Sequence, residues 1–420
     1  MNATRFAALR RTLAAQIERT SSRRAFLPLL SGLLAAAGVE TAPAAAKGKK
    51  KPKPKPKPPK RTCTGSCNGA ECGIDDCGRS CGSCGAGLVC LAGTCRDIAD
   101  NATFHVSGRA ILDPTGTPVV LRGVNKMSVF DDDDPDGAIS FPEIRKIGAN
   151  TVRIVWAITT DLSPNGPKTD PDRLEALIEN AIAAGLVPMI ELHDATGDWS
   201  RLDDLVAYWT KPQIVSIINT HRQFLLVNIG NEVGDDTVTD NQFITKYSGA
   251  VQAMRNAGIH TPLVIDAPDW GKNLTTLNNT AAALLNADPD HNLIFSVHLY
   301  WGIADGADAD FITAALEDAV AANYPLLVGE YSQYGAYNGN ASICAKGGRI
   351  DYKTIIKVAD QYDIGWYAWE WGPGNSYGDK LCAIMDMTPD RRFAHLQPGW
   401  AEDVALTSPY SIKKTATRIL

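Results

Sequence analysis

Residues 151–156 read TVRIVW, residues 172–184 read DRLEALIENAIAA, and residues 187–192 read VPMIEL. The two outer stretches are short apolar runs, the pattern of strands buried on both faces. The middle stretch repeats apolar residues at helical spacing, with Leu174, Leu177, Ile178 and Ile182 on one face. Strand, helix and strand in this order make a crossover unit, which joins parallel strands. The same texture extends in both directions. Further strand-like runs lie at 119–123, 224–229, 262–265, 293–299, 325–329 and 365–369, with helical stretches between them. Eight such runs predict an α/β fold, a closed (β/α)8 TIM barrel over residues 101–400, and barrels of this kind take about 250 residues or more. A doubly wound open sheet alternates in the same way, but no G-x-G-x-x-G phosphate turn accompanies these strands.

The chain ahead of the barrel is of a different kind. Ser22 to Leu27 spell SRRAFL, a twin-arginine export pattern, followed by a mild apolar stretch and by Ala44-Ala45-Ala46 as a cleavage site. Residues 1–46 are therefore expected to be a signal peptide, and the mature protein to be secreted or held at a bacterial cell surface. The apolar stretch is shorter than the roughly 20 residues a membrane span needs. Residues 47–62 form a linker whose Lys-Pro alternation predicts an extended, stiff spacer, with adhesion to anionic cell-surface polymer as the alternative. Residues 63–96 hold eight of the ten cysteines and almost no large apolar residues, so cross-links must replace a core. Four disulfides are expected in an exported chain. Two zinc sites are the alternative, though only Cys81 and Cys84 have tight spacing and no histidine lies among them. Cys344 and Cys382 are expected to form a fifth bridge. Residues 401–420 read as a C-terminal tail.

Charge narrows the partners. Residues 1–61 carry fifteen Lys+Arg and two Asp+Glu, leaving 26 basic against 45 acidic residues downstream. An acidic body argues against nucleic acid, because phosphate needs the opposite sign. A monomer is expected.

In a barrel of this type the C-terminal strand ends carry the chemistry. At or past those ends lie Asn125, His193 and Asp194, Asn231 and Glu232, Asp266, His298 and Tyr300, Glu330 and Trp369, with Arg153 within strand two. Two glutamates, on strands four and seven, are placed to face each other across the mouth. Cleavage of a glycosidic bond needs that pair: one carboxyl to protonate the leaving oxygen, one carboxylate to attack or to activate water. Arg153 and His298 are expected to keep Glu330 charged. The Asn231 amide is suited to a sugar hydroxyl and Trp369 to stacking on a sugar face. His193 and Asp194 lack a third ligand at metal spacing, so no metal and no cofactor is expected. Asp131 to Asp134 are expected to form a solvated acidic loop, with a calcium loop as the alternative. Trp199, Trp270, Trp301 and Trp371 are open between core and cleft rim.

NTVRIVW (150–156), ELHDATG (191–197), VNIGNE (227–232), SVHLYW (296–301), VGEY (328–331) and WYAWEW (366–371), in that order, resemble glycoside hydrolase family 5, in the clan with catalytic glutamates on strands four and seven. The resemblance covers about residues 101–400. It implies Glu232 as acid/base and Glu330 as nucleophile, with Arg153, His193, Asn231, His298 and Tyr300 around them and Trp369 as the platform. Together with LVAYW (205–209) and DAPDWG (266–271), these motifs are most similar to bacterial endo-β-1,4-mannanases. The function this implies is retaining, endo-acting hydrolysis of a plant-type β-1,4-linked polysaccharide, mannan before cellulose. An endo-β-1,4-glucanase of the same family, a non-catalytic surface glycan-binding protein and a metal-dependent hydrolase are the alternatives.

Overall fold

The computed structural model describes residues 61–159, 169–335, 348–374 and 385–420. The leader, the Lys-Pro linker and the expected Cys344–Cys382 bridge lie outside these residues. Eight strands close into a barrel: β1 (Arg122–Lys126), β2 (Thr151–Trp156), β3 (Val187–Leu192), β4 (Leu226–Asn228), β5 (Leu263–Asp266), β6 (Leu293–His298), β7 (Leu326–Tyr331) and β8 (Gly365–Ala368). Each pairs in parallel with its sequence neighbours, and β8 pairs with β1. Every barrel-strand residue is buried.

Helices sheathe the barrel for local reasons. The helix Pro171–Ala183 starts where Asp170 accepts from the Arg173 backbone N–H and Pro171 sets the first turn. It buries Leu174, Leu177, Ile178 and Ala181 against the strands. The helix Asp240–Asn256 opens on a capping box between Thr239 and Gln242.

Inside the barrel, alternation along each strand sorts the side chains by height. Near the strand starts the inward set is apolar: Val187, Met189, Leu226, Val264, Ile294, Leu327 and Tyr367 share one cluster. Nearer the strand ends it turns polar, with Arg153, Glu191, Asn228, Asp266, Ser296 and His298, all fully buried. That change of character is what puts chemistry at one end of the fold.

The first strand departs from expectation. Residues 118–119 belong to a three-stranded antiparallel sheet with His105–Ser107 and Ala110–Leu112, and the barrel strand begins at Arg122. Phe104, Ile111 and Leu121 of this region join the apolar cluster at the strand starts. β1 escaped the apolar-run reading because Arg122, Asn125 and Lys126 are polar yet buried, each with partners. Arg122 donates to the Ile364 carbonyl, Asn125 to the Gly329 carbonyl, and Lys126 to Asp131.

The expected solvated loop at 131–134 is a second departure. Asp131 is buried and pairs with Lys126 and Arg391. Asp134 is buried too and accepts from the Ile139 and Ser140 backbone N–H groups at 2.8 and 2.9 Å. Only Asp132 and Asp133 of the run face solvent.

The cysteine-rich segment holds four disulfides, Cys63–Cys77, Cys67–Cys81, Cys72–Cys90 and Cys84–Cys95. It packs on the same compact unit as the barrel. Leu91 shares the apolar cluster with Ile419 and Leu420, Ala92 N–H donates to the Ile419 carbonyl, and Asp76 pairs with Arg145 and Lys413. Among the described residues no helix is long and apolar enough to cross a membrane.

Candidate active site

Arg153 is the hub. Rising from β2 at zero exposure, it donates through Nη1 to Asn125 (3.0 Å) and Glu330 Oε1 (2.8 Å). Through Nη2 it reaches Asn228 (3.0 Å), Asn231 (2.7 Å) and Asp266 (3.3 Å). Burial works against the guanidinium's charge, but Glu191, Asp266, Glu330 and Glu232 outweigh it and hold its pKa above the ordinary value. Replacing Arg153 with methionine strands those carboxylates, and the expected loss of folding stability is about 3–5 kcal/mol. Chemical denaturation measures it. A loss under about 1 kcal/mol would mean the carboxylates find another counter-charge.

Glu330, on β7, is 4% exposed. Its Oε1 accepts from Arg153 and its Oε2 from the Tyr300 hydroxyl at 2.8 Å. Burial, with Glu232 nearby, holds its pKa above the ordinary carboxylate value, and His298 and Arg153 offset only part of that rise. Tyr300 keeps its proton, because burial and the nearby Glu330 push the phenol well above its usual value. Both oxygens of Glu330 therefore accept, and that is the pattern of a carboxylate.

Glu232 follows β4 where the chain turns off the strand into left-handed backbone, φ +48°, a conformation uncommon outside glycine. Asp266 steadies the turn by accepting from the Glu232 backbone N–H at 3.1 Å. As a result Asn231 faces Arg153 while Glu232 Oε1 meets His298 Nδ1 at 2.7 Å. The remaining donor capacity of the Asn231 amide includes a bond to Thr196 at 2.9 Å.

His298 lies between the two glutamates. Its Nδ1 is also 3.6 Å from Glu330 Oε1, and its Nε2 faces Asp266 Oδ2 at 3.4 Å. Glycine makes room for it on two sides. A Cβ on Gly329 would lie 2.8 Å from His298 Nε2, and one on Gly271 (φ +76°) would lie 2.6 Å from the ring. Burial opposes protonation of the imidazole, yet Glu330, Asp266 and Glu232 raise its pKa to about 9. The sign follows by linkage. A raised folded pKa stabilises the protein fully below about pH 6.5, and that contribution, on the order of 3 kcal/mol, is lost as pH rises through about 9. Urea unfolding of the wild type and His298→Asn should therefore differ more at about pH 6 than at about pH 10. A gap that widens with pH would contradict this.

One oxygen of Glu232, one of Glu330 and a His298 nitrogen lie within 4.8 Å of one another. These three groups could gather a metal ion only by displacing the His298 proton, because in the neutral range the imidazole is a donor and not a ligand. As built, protons and Arg153 balance the charge.

The remaining expected residues join the same mouth. His193 Nδ1 meets Glu191 Oε1 at 2.9 Å. Its ring stacks on Trp369 at 6.3 Å between centroids, 18° from parallel. The eight residues that the resemblance assigns to the site, Glu232, Glu330, Arg153, His193, Asn231, His298, Tyr300 and Trp369, thus gather at one end of the barrel. Of the four open tryptophans, Trp371 is fully buried and donates to the Arg391 carbonyl, while Trp199 packs on Phe243 and Trp301 on Phe311. Trp270 is 36% exposed and lies over Gly197 at the rim. Sequence reading missed Glu191 and Asn228 as members of the site. The signal for Glu191 was present as the single charge in the apolar run VPMIEL.

A family model described as Cellulase (glycosyl hydrolase family 5) matches residues 112–375. The chain is 30% identical to a mannan endo-1,4-beta-mannosidase of Cellvibrio japonicus over 301 residues, covering 69% of this chain and 64% of that one. It is also 30% identical to a mannan endo-1,4-beta-mannosidase of Salipaludibacillus agaradhaerens, covering 70% of this chain and 88% of that one. Among solved structures, the mannohexaose complex of Thermomonospora fusca beta-mannanase superposes with a TM-score of 0.63 at 29% identity, over 76% of this chain and 98% of that one.

Proposed function

This chain belongs to glycosyl hydrolase family 5, and from that membership we propose that it hydrolyses internal β-1,4 bonds of mannan-type polysaccharide with retention at the anomeric carbon. The observation that carries the mechanism is the approach of the two glutamates, with one oxygen of each within 4.8 Å of the other. Retaining pairs sit about 5–5.5 Å apart, whereas inverting pairs stand about 6.5–9.5 Å apart to admit a water.

In the first step the Glu330 carboxylate forms a bond to the anomeric carbon as the glycosidic C–O bond breaks. Glu232 gives its proton to the leaving oxygen. In the second, Glu232 takes a proton from water, the water oxygen bonds to the anomeric carbon, and Glu330 leaves as carboxylate. The roles divide by surroundings. Glu330 is pinned by a permanent cation and a phenol, which suits a group that must stay ionised. Glu232 is the more exposed of the two, at 12% against 5% for the side chain, which suits one that trades protons with water. Asn231, His193 and Tyr300 supply hydrogen bonds near the reacting sugar, and Trp369 supplies its platform.

Mannan is favoured as substrate because the relatives reported above are mannanases. Initial rates on mannan, glucomannan, carboxymethyl cellulose and xylan test this directly. The expected order places mannan and glucomannan first, and a carboxymethyl cellulose rate above that on mannan would favour the endoglucanase reading. Export through the twin-arginine pattern remains part of the proposal, and four disulfides in a small segment fit an oxidising compartment. N-terminal sequencing of protein from culture medium should begin after Ala46. Retention of the whole chain in the cytoplasm would refute export.

A further inference from the structure

Glu191 has no task in the reaction as written, yet it is fully buried at the floor of the mouth. It points inward from β3 by the same alternation that turns Met189 inward. Its Oε1 lies 2.9 Å from His193 Nδ1 and 3.8 Å from Arg153 Nη1. Oε2 has no hydrogen-bond partner among the described residues. A buried carboxylate is costly unless a cation shares it, and His193 is the cation within hydrogen-bonding reach. The His193 ring is held on other sides as well. Trp369 stacks on it, and Phe130 meets it edge to face at 6.2 Å and 85°. With Nδ1 turned in to Glu191 and the side chain 19% exposed, the Nε2 edge is what remains for the cleft.

We propose that Glu191 is a positioning residue that keeps His193 a doubly protonated imidazolium, so that Nε2–H is presented to a hydroxyl of the bound sugar and the stacked Trp369 platform is fixed in plane. The sugar rests on the glycosidase reading above; the link between Glu191 and His193 does not. The charged groups around His193 are Glu191 at the end of β3, Glu330 from β7, Arg153 from β2 and Asp194, the next residue in the chain. Burial and Arg153 oppose protonation, and Glu191 with Glu330 outweighs them, so the imidazole pKa is raised. An imidazolium N–H makes a charge-assisted hydrogen bond, stronger than the one a neutral ring offers.

Glu191→Gln keeps the shape and removes the charge. In protein carrying ¹⁵N-labelled histidine, ring-nitrogen titration of His193 is expected above the ordinary value of about 6.5 in the wild type and at or below it in Glu191→Gln. KM for a manno-oligosaccharide should rise about tenfold to a hundredfold, with a smaller change in kcat. The double variant Glu191→Gln/His193→Ala should be no weaker than His193→Ala alone. A wild-type His193 that titrates at or below the ordinary value overturns the proposal without any variant being made. So does a titration unmoved by Glu191→Gln, or losses that multiply in the double variant. Because the titration needs no turnover, a wrong substrate would silence only the kinetic arm and leave the Glu191–His193 link decided.

Discussion

Replacing Glu330 with alanine is expected to lower kcat on mannan on the order of 10⁵-fold, the scale at which an enzyme loses its nucleophile. KM should move little, because Glu330 contributes most where its bond to the anomeric carbon is forming. The protein should still fold. Arg153 keeps Asp266, Asn125, Asn228 and Asn231 as partners when Glu330 is removed. Azide supplies a sharper readout than loss of rate. It is small enough to enter the space left by the side chain and attack from the same face, giving an α-mannosyl azide in a single inversion. Rescue that yields the β-azide would mean that Glu330 is not the attacking group. Residual activity within about a hundredfold of wild type would mean the same.

Replacing Glu232 with alanine should produce a loss that depends on the leaving group. Protonation of a sugar alkoxide is hard to do without, so kcat on mannan should fall about 10²–10⁴-fold. A nitrophenolate leaves without help, so formation of the glycosyl-enzyme from an aryl mannoside should be largely spared. The second step then stalls, because no base activates water, and the kinetics should show a burst. Azide needs no base and should relieve the stall, giving a β-mannosyl azide by two inversions. Equal losses on mannan and on the aryl mannoside, with no burst, would remove Glu232 from the acid/base role.

Much of this was legible in the sequence because barrel geometry leaves a plain trace. β2 and β3 begin and end where the apolar runs do, since both of their faces are buried. Glu232, Glu330 and five of their six companions could be picked out because each lies at or just past the end of a run, and Arg153 because it is the one charge inside TVRIVW; strand ends converge on one mouth. β1 was less legible, because its polar residues are satisfied by partners far away in sequence, such as Ile364 and Gly329. Glu191 was hidden for a related reason. An apolar strand does not reveal which of its alternate residues faces inward; that is settled by the register of β3 against β2, where Met189 pairs with Arg153. Asp131 and Asp134 read as a solvated run because composition does not show that Lys126 and Arg391 pair with the first, or that the following turn aims the Ile139 and Ser140 backbone N–H groups at the second. Tertiary contacts decided β1 and Glu191, while Asp134 was settled by a local turn in which it accepts from Ile139 and Ser140.

The account stands on Glu330 reaching the anomeric carbon from one side while Glu232 serves the leaving oxygen. A 2-deoxy-2-fluoro-β-mannosyl fluoride tests this most directly, because fluorine slows both steps and the fluoride leaving group keeps the first one possible. Intact mass followed by peptide mapping should find one fluoromannosyl group per chain, in ester linkage to Glu330. A label on Glu232, or steady turnover to the α-anomer with no adduct at all, would contradict it.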